Sequence, residues 1–174
     1  KRVSVMDTDL RRPRLHSQMN ISNRRGLTSL FMGQDIQLDG ALRESSISNL
    51  SLITSGNLPP NPAELLGSEK MQQILAKVEA QSDVVILDSP PVIAVTDATV
   101  LSQRVDGVLL VIEPGNAKVA AAQKAVEQLR RVGANIIGVV LNNVSSNGSR
   151  YSYYYYYYAD DYYGDRRRQK RKKK

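Results

Sequence analysis

Five short apolar runs stand out against the polar background of the sequence, and each predicts a β-strand. Four of the runs are continuous, as in strands that are buried on both faces of a parallel sheet, and the run at residues 50–54 alternates. Prolines follow two of the runs and end the strand there, because a proline cannot donate to the ladder of a central strand. The predicted strands cover residues 3–6, 50–54, 84–88, 107–113 and 136–142.

Helical patterns fill the intervals between these runs. Asn61 can cap a helix, Pro62 suits its first position, and Glu64 can reach back to the cap. Gly67 ends that helix, and Ser68 can cap a second helix that has one buried stripe. The stripe consists of Met71, Ile74, Leu75 and Val78.

Four further helices are predicted at residues 13–20, 27–32, 96–104 and 116–132, with Thr96 and Asn116 as N-caps of the last two. Strands that alternate with helices in this way indicate βαβ units. The sequence therefore predicts an α/β fold with a doubly wound, mostly parallel sheet.

Composition narrows the class of protein. The 174 residues, 41% of them hydrophobic, suffice for one domain with its own core. There is no cysteine, which excludes disulfides and thiolate metal sites. No apolar run approaches the roughly 18 residues of a membrane-spanning helix. Because the chain starts at Lys1 directly before a strand, we expect it to be a piece of a longer protein.

The net positive charge and the tyrosines are concentrated at the C-terminal end of the sequence. Of the 24 basic and 17 acidic side chains, eight basic and one acidic lie in residues 165–174, so residues 1–164 are neutral overall. All nine tyrosines lie in residues 151–163. We therefore expect two regions, an α/β domain over residues 1–146 and a flexible, disordered, tyrosine-rich and basic tail over residues 147–174.

Three aspartates mark the ends of two predicted strands. Asp7 and Asp9 follow the first strand, and Asp88 ends the third. In open α/β sheets, ligands bind at the carboxyl ends of the strands. Carboxylates beside Arg11 and Arg12 can hold a magnesium ion and the phosphates that it neutralises. A surface turn with ordinary ion pairs would produce the same residues at the first strand, but the second segment of the same shape favours the metal and phosphate site.

Two segments resemble the Walker A′ and Walker B motifs of bacterial tyrosine kinases, a family within the MinD and ParA group of deviant P-loop ATPases. They are Val3-Ser-Val-Met-Asp-Thr-Asp-Leu-Arg-Arg-Pro13 and Asp83-Val-Val-Ile-Leu-Asp-Ser-Pro-Pro91. The segment Leu58-Pro-Pro-Asn-Pro-Ala-Glu-Leu-Leu66 resembles this family's PPNPAELL marker. The resemblance covers about residues 1–163 and implies a P-loop NTPase-like fold that binds ATP and magnesium.

The resemblance also implies a role for each candidate residue. Asp7 and Asp9 would be catalytic, with Asp7 as the general base on an incoming tyrosine hydroxyl. A carboxylate within hydrogen-bond reach suffices, because phosphoryl transfer depends mostly on positioning and charge neutralisation. Asp7, Asp9 and Asp88 would hold magnesium, directly or through water. Arg11 and Arg12 would bind the nucleotide phosphates, although either can instead pair with a neighbouring acid.

Asn142 would extend the nucleotide site. It follows the last predicted strand, and in related ATPases an asparagine at this place contacts the adenine edge, for which an amide has both a donor and an acceptor. Asparagines also start turns, so this alternative stays open.

One expected motif is absent. A Walker A loop, rich in glycine and ending in Gly-Lys-Ser/Thr, supplies amides, a lysine and a magnesium-binding hydroxyl, and the printed sequence contains no such stretch. In the family it precedes the Walker A′ strand. We therefore expect the chain as given to bind ATP poorly and to have little kinase activity by itself, with the loop supplied upstream or by another chain.

The tail has three interpretations: a linker, a stacking platform for single-stranded nucleic acid, or a cluster that a neighbouring subunit of a homo-oligomer phosphorylates in trans. Nucleic acid is disfavoured, because the neutral domain offers no matching basic groove. In the third interpretation, which the resemblance favours, the phosphorylation sites are Tyr151, Tyr153, Tyr154, Tyr155, Tyr156, Tyr157, Tyr158, Tyr162 and Tyr163. The basic run Arg166 to Lys174 either binds anionic lipid or only adds solubility.

These expectations combine into an ATP-dependent protein-tyrosine autokinase of bacterial capsule or exopolysaccharide biosynthesis. It would work on the cytoplasmic side of the inner (plasma) membrane with a transmembrane activator or a polysaccharide co-polymerase domain. The alternatives are a MinD/ParA-like regulatory ATPase without tyrosine transfer and a non-catalytic regulatory binding module. The regulatory ATPase gives no reason for nine clustered tyrosines, and loss of nucleotide binding in Asp88→Ala would argue against the binding module.

Overall fold

The computed structural model describes residues 1–33, 35–114 and 118–144. Residues 1–110 and 119–138 form one compact unit, and the described residues of a second unit are 111–114, 118 and 139–144. The predicted boundary between residues 146 and 147, the tail and the predicted N-cap Asn116 lie outside the described residues.

In these ranges the chain forms six strands, five of which match the predicted ones to within one residue at each end. The strands are β1 (Val3–Asp7), β2 (Leu42–Glu44), β3 (Leu50–Ile53), β4 (Val84–Asp88), β5 (Val108–Ile112) and β6 (Ile136–Leu141).

A four-stranded sheet with the order β2-β3-β1-β4 organises the first unit. β3 and β4 both run parallel to the central β1, and β2 pairs with β3 in the antiparallel direction. β5 and β6 form a separate two-stranded sheet. The α/β class and the mostly parallel sheet are therefore confirmed, while the described strands form two sheets and include one antiparallel edge strand that the sequence did not predict.

Helices connect the strands, and their caps differ in part from the prediction. Ser68 caps its helix by accepting a hydrogen bond from the Met71 amide at 3.2 Å, as predicted. Asn61 and Thr96 precede their helices without capping them through the side chain. The helices are α1 (Leu15–Gln18), α2 (Leu27–Leu30), α3 (Pro62–Gly67), α4 (Glu69–Glu79), α5 (Asp97–Leu101), a 3-10 helix (Ser102–Arg104) and α6 (Val119–Arg131).

None of the helices in the described ranges has the length and apolar character that crossing a membrane requires.

The hydrophobic core lies on one face of the four-stranded sheet. Met6 of β1 and Ile53 of β3 are fully buried, and they pack with the apolar stripe of α4. All four predicted residues of that stripe are buried, which confirms the amphipathic helix.

The other face of β4 is uncovered by the elements that the structure describes. Val84 and Ile86 are exposed, whereas Val85 and Leu87 pack against the core. The prediction of a strand buried on both faces is therefore wrong for β4. β5 and the start of β6 show the same alternation, because side chains in a strand point to opposite faces in turn, whereas the last three residues of β6 are all exposed. Their exposed residues include Leu109, Val111, Ile137 and Val139.

A close backbone contact joins the start of α2 to the end of β3. The Leu27 amide donates to the carbonyl of Thr54 at 2.7 Å. Gly26 lies so close to this segment that an added Cβ would be 2.2 Å from the Thr54 carbonyl oxygen and 2.4 Å from the Gly56 nitrogen. Both neighbours are backbone atoms, so the chain itself would have to shift.

We expect Gly26→Ala to lower the free energy of unfolding by roughly 3 kcal/mol, the upper end of the usual cost of overpacking. The matched control is Gly138→Ala, where the added Cβ would meet only a Leu109 methyl group at 3.5 Å. Urea unfolding followed by circular dichroism measures both variants. Equal midpoints for the two variants would contradict the close approach at Gly26.

Candidate functional site

The ends of β1 and β4 place two of the predicted aspartates side by side. In the parallel ladder Asp7 pairs in register with Asp88, so both side chains leave the same face of the sheet. Thr8 fixes this junction, because its amide and its hydroxyl both donate to the Asp88 carbonyl, at 2.8 and 2.6 Å. The predicted meeting of the two strand ends is therefore confirmed.

Asp7 is a fully buried carboxylate with two backbone partners. Its Oδ1 accepts the Asp9 amide at 3.2 Å, and its Oδ2 accepts the Leu15 amide at 3.1 Å. Burial raises the pKa of Asp7 to about 6, with the negative charges of Asp88 and Asp9 adding to the increase and the two amides opposing it. Asp7 is therefore a poorly solvated carboxylate among like charges.

Asp9 turns the chain after β1. Its Oδ1 accepts the amides of Arg11 and Arg12, at 3.1 and 2.9 Å. Asp88 is exposed as a residue, yet the loss of water around its carboxyl group raises the pKa of Asp88, and the charge of Asp9 adds to this increase. The charge of Asp9 thus acts on both Asp7 and Asp88 at one edge of the sheet.

The two arginines of the candidate site have different surroundings. The Arg11 guanidinium donates from Nε and Nη2 to the two oxygens of Asp97, each at 2.9 Å. This is the pairing with a neighbouring acid that the sequence left open. Arg12 is exposed and makes no ion pair within residues 1–33, 35–114 and 118–144. Phosphate binding by either arginine stays a prediction.

The carboxylates fit a magnesium ion that is bound together with phosphates. Across the described part of the chain, no three His, Cys, Asp or Glu side chains gather closely enough to hold a metal by themselves. Magnesium, however, is usually bound by one or two carboxylates together with substrate phosphates and water. Asp7 and Asp88 at adjacent strand ends suit that coordination, and the assignment of Asp7, Asp9 and Asp88 as ligands stays a prediction.

Asn142 belongs to the second unit. It is exposed just after β6, and its amide donates to the Ile112 carbonyl at 2.8 Å. The neighbouring Asn143 has a φ of 55° and donates to Glu113. Contact of Asn142 with the adenine stays a prediction. The predicted phosphorylation sites Tyr151 to Tyr163 and the basic run Arg166 to Lys174 lie outside the described residues.

Sequence reasoning missed two residues of this site. Thr8 lies between Asp7 and Asp9 in the sequence. The parallel register of β1 and β4 is needed to see that its hydroxyl reaches the carbonyl of Asp88. Asp97 follows the predicted cap Thr96 and was assigned only to the start of a helix, but it is fully buried against Arg11. A lone acid after a strand-ending Pro-Pro segment was the only available signal.

The pKa of Asp7 predicts a specific dependence of stability on pH. Because the pKa is higher in the folded than in the unfolded state, folding favours the protonated form. This contribution is complete below about pH 4 and is lost as the pH rises through 6. In magnesium-free buffer, Asp7→Asn should therefore gain about 3 kcal/mol of unfolding free energy relative to wild type between pH 4 and 7.

Asp83→Asn is the matched control for this experiment. Hydrogen bonds from Arg2 lower the pKa of Asp83, so its contribution to stability is lost only as the pH falls below about 4. Urea midpoints across the pH range measure all three proteins. A pH profile of Asp7→Asn parallel to that of wild type would show that Asp7 is not a shifted carboxylate.

Known proteins place the chain in a family. Residues 1–162 match the ParA family model, described as the NUBPL iron-transfer P-loop NTPase. The tyrosine-protein kinase YwqD of Bacillus subtilis (strain 168) is 38% identical over 154 residues, which cover 88% of this chain and 65% of YwqD. The chain therefore spans about two thirds of the length of this relative.

Solved structures agree with this placement. The VpsO kinase domain has a TM-score of 0.77 and 32% identity over 83% of this chain and 71% of that chain. The septum site-determining protein MinD from Pyrococcus horikoshii, a complex with Mg-ADP, has a TM-score of 0.65 but only 17% identity over 84% of this chain and 60% of its own, which shows the fold alone. The chain therefore belongs to the ParA-type P-loop NTPases and, among them, to the bacterial tyrosine kinases.

Proposed function

We propose that the full-length protein carrying this sequence is an ATP- and magnesium-dependent protein-tyrosine kinase that phosphorylates its own C-terminal tyrosines. The observation that carries this proposal is the register pair Asp7 and Asp88 at the carboxyl edge of the parallel sheet. Membership in the bacterial tyrosine kinase family supports it.

Asp7 is the general base of this reaction. A carboxylate with a pKa of about 6 is mostly ionised at neutral pH and can accept the tyrosine hydroxyl proton on one of its oxygens. The amides of Asp9 and Leu15 fix its orientation, and each carboxylate oxygen keeps a further lone-pair site for the proton. Little more is required of a base, because positioning and charge neutralisation dominate phosphoryl transfer.

The remaining site residues bind the nucleotide. Asp88 and Asp9, with Asp7, hold the magnesium ion, Arg11 and Arg12 bind phosphate, and Asn142 contacts the base. When bound, ATP would supply the phosphoryl group, and magnesium would supply the positive charge that stabilises its transfer. The amides, lysine and hydroxyl of a Walker A loop come from outside the printed sequence.

The tail is the substrate. All nine tyrosines of the printed sequence lie in residues 151–163, so transfer to a tyrosine of this chain can only modify that cluster. Each phosphate adds about −1.5 to −2 charges at pH 7. About five phosphates therefore outweigh the eight basic side chains that follow and release a tail bound to a neighbouring subunit of a homo-oligomer.

The basic end of the tail and the relatives suggest where in the cell the protein works and in which process. Eight basic residues between Arg166 and Lys174 attract anionic lipid, at roughly 1 kcal/mol for each residue near the surface. This supports a place on the cytoplasmic side of the inner membrane, beside a transmembrane activator or a polysaccharide co-polymerase domain. The relatives include the putative tyrosine-protein kinase CapB of Staphylococcus aureus, and membership in the bacterial tyrosine kinases supports a role in capsule or exopolysaccharide biosynthesis.

A regulatory ATPase without tyrosine transfer is the second candidate. The ParA family model and the fold shared with MinD favour it, and it needs the same carboxylates. The clustered tyrosines have no role in that candidate.

Incubating the full-length protein with ATP and magnesium tests the proposal. Mass spectrometry should find phosphate on several residues between Tyr151 and Tyr163. Asp88→Ala should reduce this incorporation by roughly a hundredfold, because it removes a carboxylate that would hold the magnesium ion, whose charge stabilises the transferred group. Asp83→Ala, at the opposite end of β4, is the control and should retain it. ATP hydrolysis with unmodified tyrosines would instead favour the regulatory ATPase.

A further inference from the structure

We propose that Asp97 is a positioning residue that orients Arg11 for binding the phosphates of the nucleotide. The inference rests on the proposed function, because it assumes that a nucleotide binds at the carboxyl edge of the four-stranded sheet. It adds a residue that no motif in the sequence pointed to, located on α5 and 86 positions from its partner.

The contact between the two side chains is a two-point ion pair. Nε and Nη2 of Arg11 each donate to a different oxygen of Asp97 at 2.9 Å. Two parallel hydrogen bonds between a planar guanidinium and a planar carboxylate fix the orientation of both groups, whereas a single bond would leave them free to rotate. Asp97 therefore sets the direction in which the Arg11 guanidinium faces.

The pair is buried on one side and open on the other. The Asp97 side chain is fully buried, while 39% of the Arg11 side chain is exposed. A buried carboxylate without a partner is costly, so Asp97 holds Arg11 firmly. The exposed side of Arg11 remains accessible to a ligand from solvent.

The geometry of the guanidinium leaves donors for that ligand. Arginine has five N–H groups, and Asp97 occupies the edge formed by Nε and Nη2. The second edge, formed by Nη1 and the other N–H of Nη2, makes no hydrogen bond within the described residues. Two parallel N–H groups on such an edge match the oxygens of a phosphate.

The backbone at Arg11 is fixed as well. Asp9 accepts the amides of both Arg11 and Arg12, so the two arginines start from one constrained turn. Only Arg11 has its side chain tied to a buried acid, and Arg12 is exposed without an ion pair in the part of the chain that the structure describes. Arg12 is therefore the matched control for what Asp97 adds.

A double-mutant cycle on the full-length protein tests the proposal through the affinity for magnesium-ATP, measured by calorimetry. Arg11→Gln and Asp97→Asn should each weaken binding by roughly tenfold, the value of one charge-assisted hydrogen bond. The double variant R11Q/D97N should bind no more weakly than R11Q, because Asp97 acts through Arg11. In contrast, the effects of D97N and Arg12→Gln should multiply.

Controls separate positioning from general stability. Arg131→Gln breaks an exposed pair with Glu127 on α6 and should leave ATP affinity unchanged. If D97N binds ATP like wild type while R11Q is impaired, or if the effects of R11Q and D97N multiply, the proposal is overturned. It is equally overturned if D97N weakens binding and R11Q does not.

A measurement on the wild type covers the case in which D97N does not fold. In the nucleotide-free protein, the Arg11 Nε–H should give a nuclear magnetic resonance signal that exchanges slowly with water, because it is bonded to a buried acid. Adding magnesium-ATP should shift the Arg11 guanidinium signals while the Nε–H stays protected. Unshifted Arg11 signals would overturn the proposal.

These readouts remain separate from tyrosine transfer. If the protein binds ATP and shows the coupling of Arg11 and Asp97 but phosphorylates no tyrosine, the proposed kinase function fails and the role of Asp97 stands. If the full-length protein binds no ATP, both fail.

Discussion

The double hydrogen bond from Thr8 to the Asp88 carbonyl holds the ends of β1 and β4 together, and the candidate site depends on it. Thr8 is fully buried, and its amide and hydroxyl donate to the same oxygen at 2.8 and 2.6 Å. A shift of the register by one residue would turn every side chain of one strand to the opposite face. Asp7 and Asp88 would then no longer leave the sheet on the same side.

Among the described residues, no ion pair neutralises the carboxylates of Asp7, Asp9 and Asp88. Asp7 is buried, and its pKa is raised partly by the charges of Asp88 and Asp9. Arg11, the nearest arginine in the sequence, is paired with Asp97 instead. The carboxylates are therefore more stable with a cation beside them, so the same charges that repel one another at this edge favour binding of a divalent metal.

The sequence predicted the parallel strands and the ends where the site lies, because continuous apolar runs that stop at an aspartate or a proline are strong local signals. The apolar stripe of α4 was equally readable. The structure of residues 35–48 could not be predicted in this way, because the buried residues Ile36, Leu38 and Ala41 follow no regular period. β2 is only three residues long and contains Arg43, whose guanidinium bonds to the carbonyls of Ser22 and Arg25.

Contacts between distant segments could not be predicted from local pattern. The partner of Arg11 lies on α5, and the close approach of Gly26 to Thr54 requires the fold itself. The exposure of β4 was also predicted wrongly. Its continuous apolar sequence indicated two buried faces, and one of them is exposed in the described structure. The motifs thus located the candidate site, and the tertiary structure was needed to identify the side chains that support it.

A crystal structure of the full-length protein with magnesium and a non-hydrolysable ATP analogue tests the central claim most directly. The account predicts one magnesium ion at the carboxyl edge of the sheet, bound to the carboxylates of Asp7, Asp9 or Asp88 at about 2.1 Å or through a single water. A magnesium ion held by other residues, with these three carboxylates facing away from it, would contradict the account.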